Sequence, residues 1–160
     1  MRLPIIQAPD DRLRVTATPF PDELEDQHKQ VLTDLLDTFT ATAGCLGLAA
    51  NQLGHAWRAI IVDITPGRHE TSLMLNPIIT KMSDDRQRVN DGCMSIGNGK
   101  KRGYTYRPKR ITVEWVDIAG DKHRWKFSGL HAAVVHYEVD HLDGVLFLAR
   151  LVNQPAAFSK

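Results

Sequence analysis

The segment from Ser128 to Gly144 constrains the fold more than any other part of this chain. It reads SGLHAAVVHYEVDHLDG, and small and apolar residues continue from Gly129 to about His141 without a proline. Such a run predicts a helix, and Ser128 is a residue type that favours the N-cap position. Because so little of this helix is polar, other elements must cover it. The sequence therefore predicts a largely buried helix near the end of the chain.

Short strands fill most of the remaining sequence. Residues 57–64 (WRAIIVDI), 73–76 (LMLN) and 78–80 (IIT) have the composition of strands in a meander. RITVEWVDI (110–118) alternates apolar and polar residues, and KHRWKFS (122–128) returns beside it, which predicts a hairpin that pairs Trp115 with Trp125. From Pro21 to Ala43, apolar residues recur at threes and fours and indicate another helix. Helices at both ends of a strand-rich middle indicate an α+β fold.

Composition limits the classes of protein to consider. The 160 residues are 42% hydrophobic, which favours one domain spanning 1–160, and their formal net charge of +1 favours neither DNA nor a membrane surface as a partner. No apolar run approaches the roughly 18 residues that span a bilayer, and the first residues do not resemble a signal peptide. We therefore expect a cytoplasmic protein. Its two cysteines, Cys45 and Cys93, are too few for a disulfide scaffold.

The spacing of polar residues on the last helix is close to that of a metallohydrolase. Tyr137 and His141 are four residues apart and share a helix face, with Glu138 beside them. The usual pattern has two histidines that hold a metal and a glutamate that moves a proton. His136 lies five residues before His141 and would reach the same face only through a π-bulge. Taken alone, a Glu-x-x-His pattern is also typical of a helix with exposed charges and one core histidine.

Three segments together resemble the motifs of the peptide deformylases. They are CLGLAANQ (45–52), DGCMS (91–95) and YEVDHLDG (137–144), where the family has GxGLAAxQ, EGCLS and HExDH. PDDRLR near the start and HLDGVLF after the last motif also fit, so the resemblance covers nearly the whole chain. It implies antiparallel sheets around a central helix that carries the third motif. The tail LVNQPAAFSK is expected to lack the C-terminal helix common in the family.

The resemblance also implies a metal site. The family binds one divalent ion, natively iron(II) and often replaced by nickel, cobalt or zinc, through the motif-two cysteine and two motif-three histidines. Cys93 and His141 match two of these ligands, and Tyr137 stands at the position of the third. A metal-bound tyrosine would be a phenolate, adding a negative charge that weakens the Lewis acidity of the ion. Two interpretations stay open: Tyr137 is a ligand, or the site binds metal poorly or not at all.

The remaining site residues follow from the same resemblance. Glu138 matches the general acid and base, while the Gln52 amide and the backbone N–H of Met94 match the donors that stabilise the oxyanion. From its place on the helix, we expect Asp140 to support the site from behind or to cap the passage from helix to turn, in preference to binding the metal. The resemblance implies that the substrate backbone, carboxylate and methionine side chain contact Leu46, Gly47, Gly92, Arg102, Val89, Ala133 and Val134. Cys45 replaces a motif glycine and is a packed side chain, a filler of the groove or an extra soft ligand.

The function implied is hydrolysis of the formyl amide on N-formylmethionyl peptides, with nascent peptides as substrates. The alternative is a weak or inactive relative that binds peptide N-termini. A third possibility comes from KKRGYTYRPKR (100–110), where six basic residues accompany Tyr104 and Tyr106, a composition suited to ribosomal RNA. The simpler interpretation of this segment is a solvated loop in which Arg102 contacts the carboxylate or backbone of the peptide.

Overall fold

The predicted buried helix lies at the centre of the fold. In this computed structural model, which describes residues 1–65 and 70–152, helix α2 runs from Gly129 to Leu142 and contacts strands of both sheets. Ser128 takes the N-cap position, although its side chain makes no capping hydrogen bond. Both Glu138 and His141 are buried. The prediction of a central helix within antiparallel sheets is confirmed.

Within the described residues, seven strands form two antiparallel sheets. The strands are β1 (Gly47–Ala49), β2 (Ala59–Thr65), β3 (Glu70–Met82), β4 (Arg86–Gly92), β5 (Arg102–Pro108), β6 (Arg110–Val116) and β7 (Lys122–Ser128). Five of them pair in the order β1-β2-β3-β6-β7, while β4 and β5 form a separate two-stranded ribbon. The ribbon ends immediately before Cys93, and β1 leads into the turn that carries Gln52. Both sheets thus bring motif residues to α2.

The five-stranded sheet separates helix α1 (Asp26–Thr40) from helix α2. On β2, Ile60 and Val62 join the core beneath α2, whereas Ala59 and Ile61 face the core beneath helix α1. This alternation follows from the two-residue period of a strand. Helix α1 is shorter at both ends than the predicted 21–43. It begins at Asp26 because Glu25 takes the N-cap position, with its N–H donating to His28 Nδ1, and it ends at Thr40, where Ala41 is the C-cap.

Two predictions for the strands were wrong in detail. LMLN and IIT belong to one strand, β3, whose register shifts between Leu75 and Ile78. At this bulge Asn76 has a φ of 52°. Its side-chain amide accepts a hydrogen bond from the Phe20 N–H and donates one to the Phe20 carbonyl. The chain therefore continues through Asn76-Pro77 instead of ending a strand. The basic 100–110 segment, which composition alone presents as a loop, is mostly strand β5.

The predicted hairpin of β6 and β7 is present, but Trp115 and Trp125 are not directly opposite each other. Val113 lies opposite Trp125, and Trp115 lies opposite His123. The two tryptophans are therefore diagonal neighbours, with ring centroids 5.6 Å apart in an edge-on arrangement. Asp117 closes the turn between the strands through its carboxylate.

The end of the chain limits one further prediction. The expected lack of a C-terminal helix concerns residues 153–160, which lie outside the described residues. Within 1–65 and 70–152, no helix is long and apolar enough to cross a bilayer.

Candidate active site

A cavity of about 200 Å³ opens between β1, β4 and α2. Residues from all three motif segments form its wall, although the segments are far apart in the chain. Among the predicted site residues, those in the wall are Leu46, Gly47, Gln52, Val89, Gly92, Cys93, Met94, Arg102, Ala133, Val134, Tyr137 and Glu138. His141 is the exception, since it is 1% exposed and lies behind the wall in contact with Cys93.

Some residues of the wall were not anticipated from the sequence. Asn90, Gly99 and Leu130 line the cavity together with motif residues. Leu130 lies three and four residues before Ala133 and Val134, so the helical period could have identified it. Gly99 has no such signal, because a turn of 3₁₀ helix places it against Met94.

Cys93 and His141 meet at the base of the cavity. The Cys93 Sγ lies 3.3 Å from His141 Nε2, and both side chains are buried. Burial raises the pKa of the Cys93 thiol to about 11 and lowers the pKa of His141 to about 4. Both groups are therefore neutral near pH 7 in the metal-free protein. A hydrogen bond from the Asn51 amide to the His141 carbonyl ties this helix end to the first motif.

Glu138 fits tightly against Gly47. A Cβ atom on Gly47 would lie 2.6 Å from Glu138 Oε1, so only glycine leaves room for the carboxyl group. Glu138 Oε2 is buried and has no hydrogen-bond partner among the described residues. Burial raises the pKa of Glu138 well above its ordinary value and favours the protonated carboxyl. The group is thus placed to give or take a proton at the cavity.

The Gln52 side chain is held at both ends. Its Oε1 accepts a hydrogen bond from the Ala49 N–H at 2.9 Å, and its Nε2 donates to Ser95 Oγ at 3.0 Å. The same Nε2 lies 3.7 Å from Cys93 Sγ, so an amide N–H points toward the Cys93–His141 pair. The Met94 carbonyl accepts from the Gln7 side chain at 2.7 Å, which fixes the peptide group after Met94. Gln52 and Met94, whose N–H groups are the predicted oxyanion donors, both line the cavity.

Tyr137 points into the site. Its ring packs edge-on against His141 with centroids 5.2 Å apart, and its hydroxyl approaches the Cys93 thiol. No hydrogen bond of ordinary geometry to that hydroxyl forms within the described residues, although the oxygen is buried. Burial raises the pKa of Tyr137 well above its ordinary value, so the metal-free side chain is a neutral phenol. An orientation of the ring away from the cavity is excluded.

His136 does not replace Tyr137. Helix α2 is regular over its whole length and contains no π-bulge. His136 therefore faces another side, where its Nδ1 lies 2.7 Å from Arg107 Nη1. Burial lowers the pKa of His136 to about 4. The histidine belongs to a support network behind the site and not to the Cys93–His141 pair.

Arg107 is the centre of that support network. Its side chain is 0% exposed and reaches Asp91 at 2.8 Å and Asp140 at 3.1 Å. Asp140 also pairs with Arg150, so it acts behind the site, as its predicted role requires. Because Arg107 is buried, its inclusion among the residues suited to RNA was wrong. The alternation of strand β5 turns residues 105 and 107 inward, and recognising that strand would have revealed this position.

The rim of the cavity carries Arg102 and Cys45. Arg102 lies across Gly92, where a Cβ would fall 2.7 Å from its Nη1, and its guanidinium donates to the Asn90 carbonyl. Cys45 lines the wall, and its thiol donates to the Gly47 carbonyl at 3.0 Å. Burial raises the pKa of Cys45 to about 12. Its position fits a packed thiol that narrows the groove.

The donor set differs from a standard three-ligand site. Within the described residues, no three His, Cys, Asp or Glu side chains lie close enough together to hold a metal ion. Cys93 and His141 supply two conventional donors, and Tyr137 places a buried hydroxyl beside them. The Tyr137 hydroxyl is therefore the candidate for a third protein ligand. With Glu138 and the Gln52 amide nearby, the arrangement suits hydrolysis of an amide bond.

Comparison with known sequences points to one family. A family model described as polypeptide deformylase matches residues 2–156. The peptide deformylase of Psychrobacter cryohalolentis is 33% identical over 146 residues, which cover 91% of this chain and 77% of that protein. The peptide deformylase of a Wolbachia from Drosophila simulans is 34% identical over 159 residues, covering 93% and 87%.

Solved structures give the same result. A class I type b peptide deformylase from Acinetobacter baumannii, with Met-Ala-Ser bound, superposes with a TM-score of 0.85 at 27% identity and covers 94% of this chain and 99% of its own. Peptide deformylase from Thermotoga maritima gives a TM-score of 0.85 at 26% identity, with 95% and 99% covered.

Proposed function

Because this chain belongs to the polypeptide deformylase family, we propose that it removes the formyl group from the N-terminus of N-formylmethionyl peptides. The observation that carries the proposal is the convergence of Gln52, Cys93 and Glu138 on one cavity. These residues come from the three motif segments and supply an oxyanion donor, a metal ligand and a proton carrier. A relative bound to Met-Ala-Ser supports a peptide product in the same kind of groove.

The family is metal-dependent, and the residues here fit a metal ion in one way. Tyr137 Oη and Glu138 Oε2 are buried polar atoms without hydrogen-bond partners among the described residues, beside the Cys93–His141 pair. Such orphaned atoms at one place commonly mark the position of an ion or water. We infer that Cys93, His141 and Tyr137 would hold one divalent ion, iron(II) by resemblance or else nickel, cobalt or zinc. When bound, such an ion supplies Lewis-acid polarisation and lowers the pKa of water.

The chain's own residues perform the remaining chemistry. Beside a bound divalent cation, Glu138 would favour its ionised form. The Glu138 carboxylate would then take a proton from the attacking water and, as the carboxyl, deliver it to the leaving amine. The Gln52 amide, held by Ala49 and Ser95, and the Met94 N–H stabilise the negative charge that develops on the formyl oxygen. Burial of these groups excludes bulk water, which strengthens each interaction.

The groove orients the peptide. Leu46 and Gly47 lie on one side and Gly92 on the other, where glycines let an extended backbone approach closely. Val89, Ala133, Val134 and Leu130 provide apolar surface for the methionine side chain. We propose that Arg102, exposed at the rim, contacts the peptide backbone or carboxylate. Formate and a free methionine N-terminus are then the products.

The decisive experiment compares metal content with turnover. Four proteins are purified without oxygen and assayed on formyl-Met-Ala-Ser. They are the native chain, Tyr137→His, Glu138→Gln and, as the matched control at an exposed tyrosine, Tyr106→His. We expect metal and slow turnover in the native chain, because a phenolate weakens the Lewis acid. Glu138→Gln should keep the metal and lose activity by about 100-fold or more. Tyr137→His should increase kcat/KM.

A second candidate function is a module that binds peptide N-termini without cleaving them. The replacement of a histidine ligand by Tyr137, neutral in the metal-free protein, favours it. This function predicts that formyl-Met-Ala-Ser binds the native chain in calorimetry but is not hydrolysed, while Tyr137→His gains both metal and turnover. Turnover by the native chain that Glu138→Gln abolishes would exclude it.

The cellular setting follows from the substrate. N-formylated nascent peptides place the proposed activity beside the ribosome, in the cytoplasm of a bacterial-type cell, with residues 1–160 acting as one deformylase-like domain. Within the basic 100–110 segment, Lys100, Lys101 and Lys109 are exposed and could contact ribosomal RNA. Salt-dependent cosedimentation with ribosomes tests this contact.

A further inference from the structure

The ribbon of β4 and β5 presents a face of arginines and tyrosines to solvent. Arg88 lies opposite Tyr106 in the register, Arg86 lies opposite Pro108, and Arg102 lies opposite Gly92. Tyr104 lies opposite Asn90 on the same face, because directly paired residues share one side of a sheet. The other face of the ribbon carries Asp91, Thr105 and Arg107, which are buried. We call the exposed side, formed by Arg86, Arg88, Arg102, Tyr104 and Tyr106, the arginine–tyrosine face.

The cations of this face have no acidic partners in the described part of the chain. Arg107, Arg110 and Arg150 each form ion pairs with aspartates, whereas Arg86 and Arg88 form none there. Arg88 instead stacks over the Tyr104 ring, 3.7 Å from the ring centre. Tyr106 is 53% exposed, so much of its ring surface faces solvent. The face therefore keeps the charges of Arg86 and Arg88 and the ring of Tyr106 available to a partner.

This combination fits one class of partner. Guanidinium groups bind phosphates in a fork geometry and stack on bases, and exposed tyrosine rings form platforms for unpaired bases. An acidic peptide would use the arginines but would leave the ring surface of Tyr106 unused. We propose that the arginine–tyrosine face binds single-stranded RNA. Arg102 also lines the peptide cavity, so the RNA surface and the peptide groove adjoin.

The test measures binding of an unstructured, fluorescently labelled RNA of about 12 nucleotides by anisotropy over a range of salt concentrations. Arg86→Ala/Arg88→Ala should weaken binding and reduce the slope of log K against log salt by about 1.4, or about 0.7 per phosphate contact. Tyr106→Ala should weaken binding about tenfold with the slope unchanged, because it removes stacking alone. The matched control is Lys122→Ala/Arg124→Ala, which removes two exposed cations from β7.

Every outcome decides the proposal. It is overturned if RNA does not bind, if the control on β7 weakens binding as much as the arginine pair, or if poly-glutamate competes as well as RNA of equal charge. Circular dichroism confirms that each variant folds. Hydrolysis of formyl-Met-Ala-Ser should be unchanged in Arg86→Ala/Arg88→Ala and in Tyr106→Ala. RNA binding and the proposed deformylase activity can therefore fail independently.

Discussion

Gly47 and the Glu138 carboxyl leave no room for a side chain between them. A Cβ at position 47 would fall 2.6 Å from Oε1 and 2.7 Å from Cγ of Glu138. We expect Gly47→Ala to displace the carboxyl and lower kcat/KM about 100-fold, since such sites tolerate little misplacement. The loss of stability should be about 1–3 kcal/mol. Gly120→Ala, at a turn with open space around it, is the control and should affect stability only.

Urea unfolding and deformylation kinetics check this prediction together. A Glu138→Asp change shortens the acid by one methylene and should restore part of the stability of Gly47→Ala without restoring activity. If Gly47→Ala keeps its kcat/KM within about twofold, the close contact does not position the catalytic carboxyl.

The Tyr137 hydroxyl provides a test of metal ligation that does not depend on turnover. In the presence of a chelator, Tyr137→Phe should be as stable as the native chain or more stable by about 1 kcal/mol, because it removes a buried hydroxyl without a partner. With iron(II), the native chain should gain the larger increase in Tm, since only it retains the third donor. Equal increases in both proteins would show that the phenol oxygen is not a ligand.

At the scale of elements, the sequence predicted the helices and strands whose structure depends on the pattern of residues close together in the chain. The apolar α2 segment and the alternation of β6 each contain their own signal. The ribbon of β4 and β5 does not, because its inward residues Asp91, Thr105 and Arg107 are polar and pair with each other. A strand with a polar buried face lacks the alternation on which such predictions rest. Its basic outer face was therefore mistaken for a loop.

The β6–β7 hairpin should lose stability in acid through Asp117. Its carboxylate accepts from the Ala119 and Asp121 N–H groups and lies 2.7 Å from His123 Nε2. The hydrogen bond with His123, followed by the backbone N–H groups, lowers the pKa of Asp117 below its ordinary value of 3.8. A carboxyl with a lowered folded pKa stabilises the protein above the unfolded pKa and loses that contribution as the pH falls through the folded value.

Asp117→Asn isolates this effect. The amide keeps an oxygen for the turn but cannot ionise, so the native chain should exceed the variant in stability at pH 6 and approach it as the pH falls below about 4. The urea midpoints of the native chain and of Asp117→Asn, measured across this pH range, report the difference in stability. A constant difference at every pH would mean that the charge of Asp117 contributes nothing to the hairpin.

At the scale of the whole molecule, the site depends on contacts that no single motif contains. Sequence comparison with a family identified Cys93, Glu138 and His141 one by one, but it could not place the Tyr137 hydroxyl or the Gly47–Glu138 contact. These depend on how β1, β4 and α2 meet. The network around Arg107 is another such feature, because its members come from both strands of the ribbon and from α2.

Arg107 joins the ribbon to the central helix, so its removal should weaken the whole fold. It pairs with Asp91 of β4 and Asp140 of α2 while fully buried. Arg107→Met leaves the buried Asp91 without a cationic partner and leaves Asp140 with Arg150 alone, which should cost about 3–5 kcal/mol in the free energy of unfolding. Arg110→Met is the matched control, because the exposed Arg110–Asp85 pair should contribute less than about 1 kcal/mol.

The same network holds Cys93 and His141 in place, because Asp91 lies two residues before Cys93 and Asp140 directly precedes His141. Adding Asp91→Asn and Asp140→Asn to Arg107→Met removes the stranded charges and should recover much of the lost stability. Metal affinity should stay low in this triple variant, since neutral side chains no longer fix the two ligands relative to each other. Recovery of stability with full metal affinity would show that Arg107 is needed for folding but not for the geometry of the site.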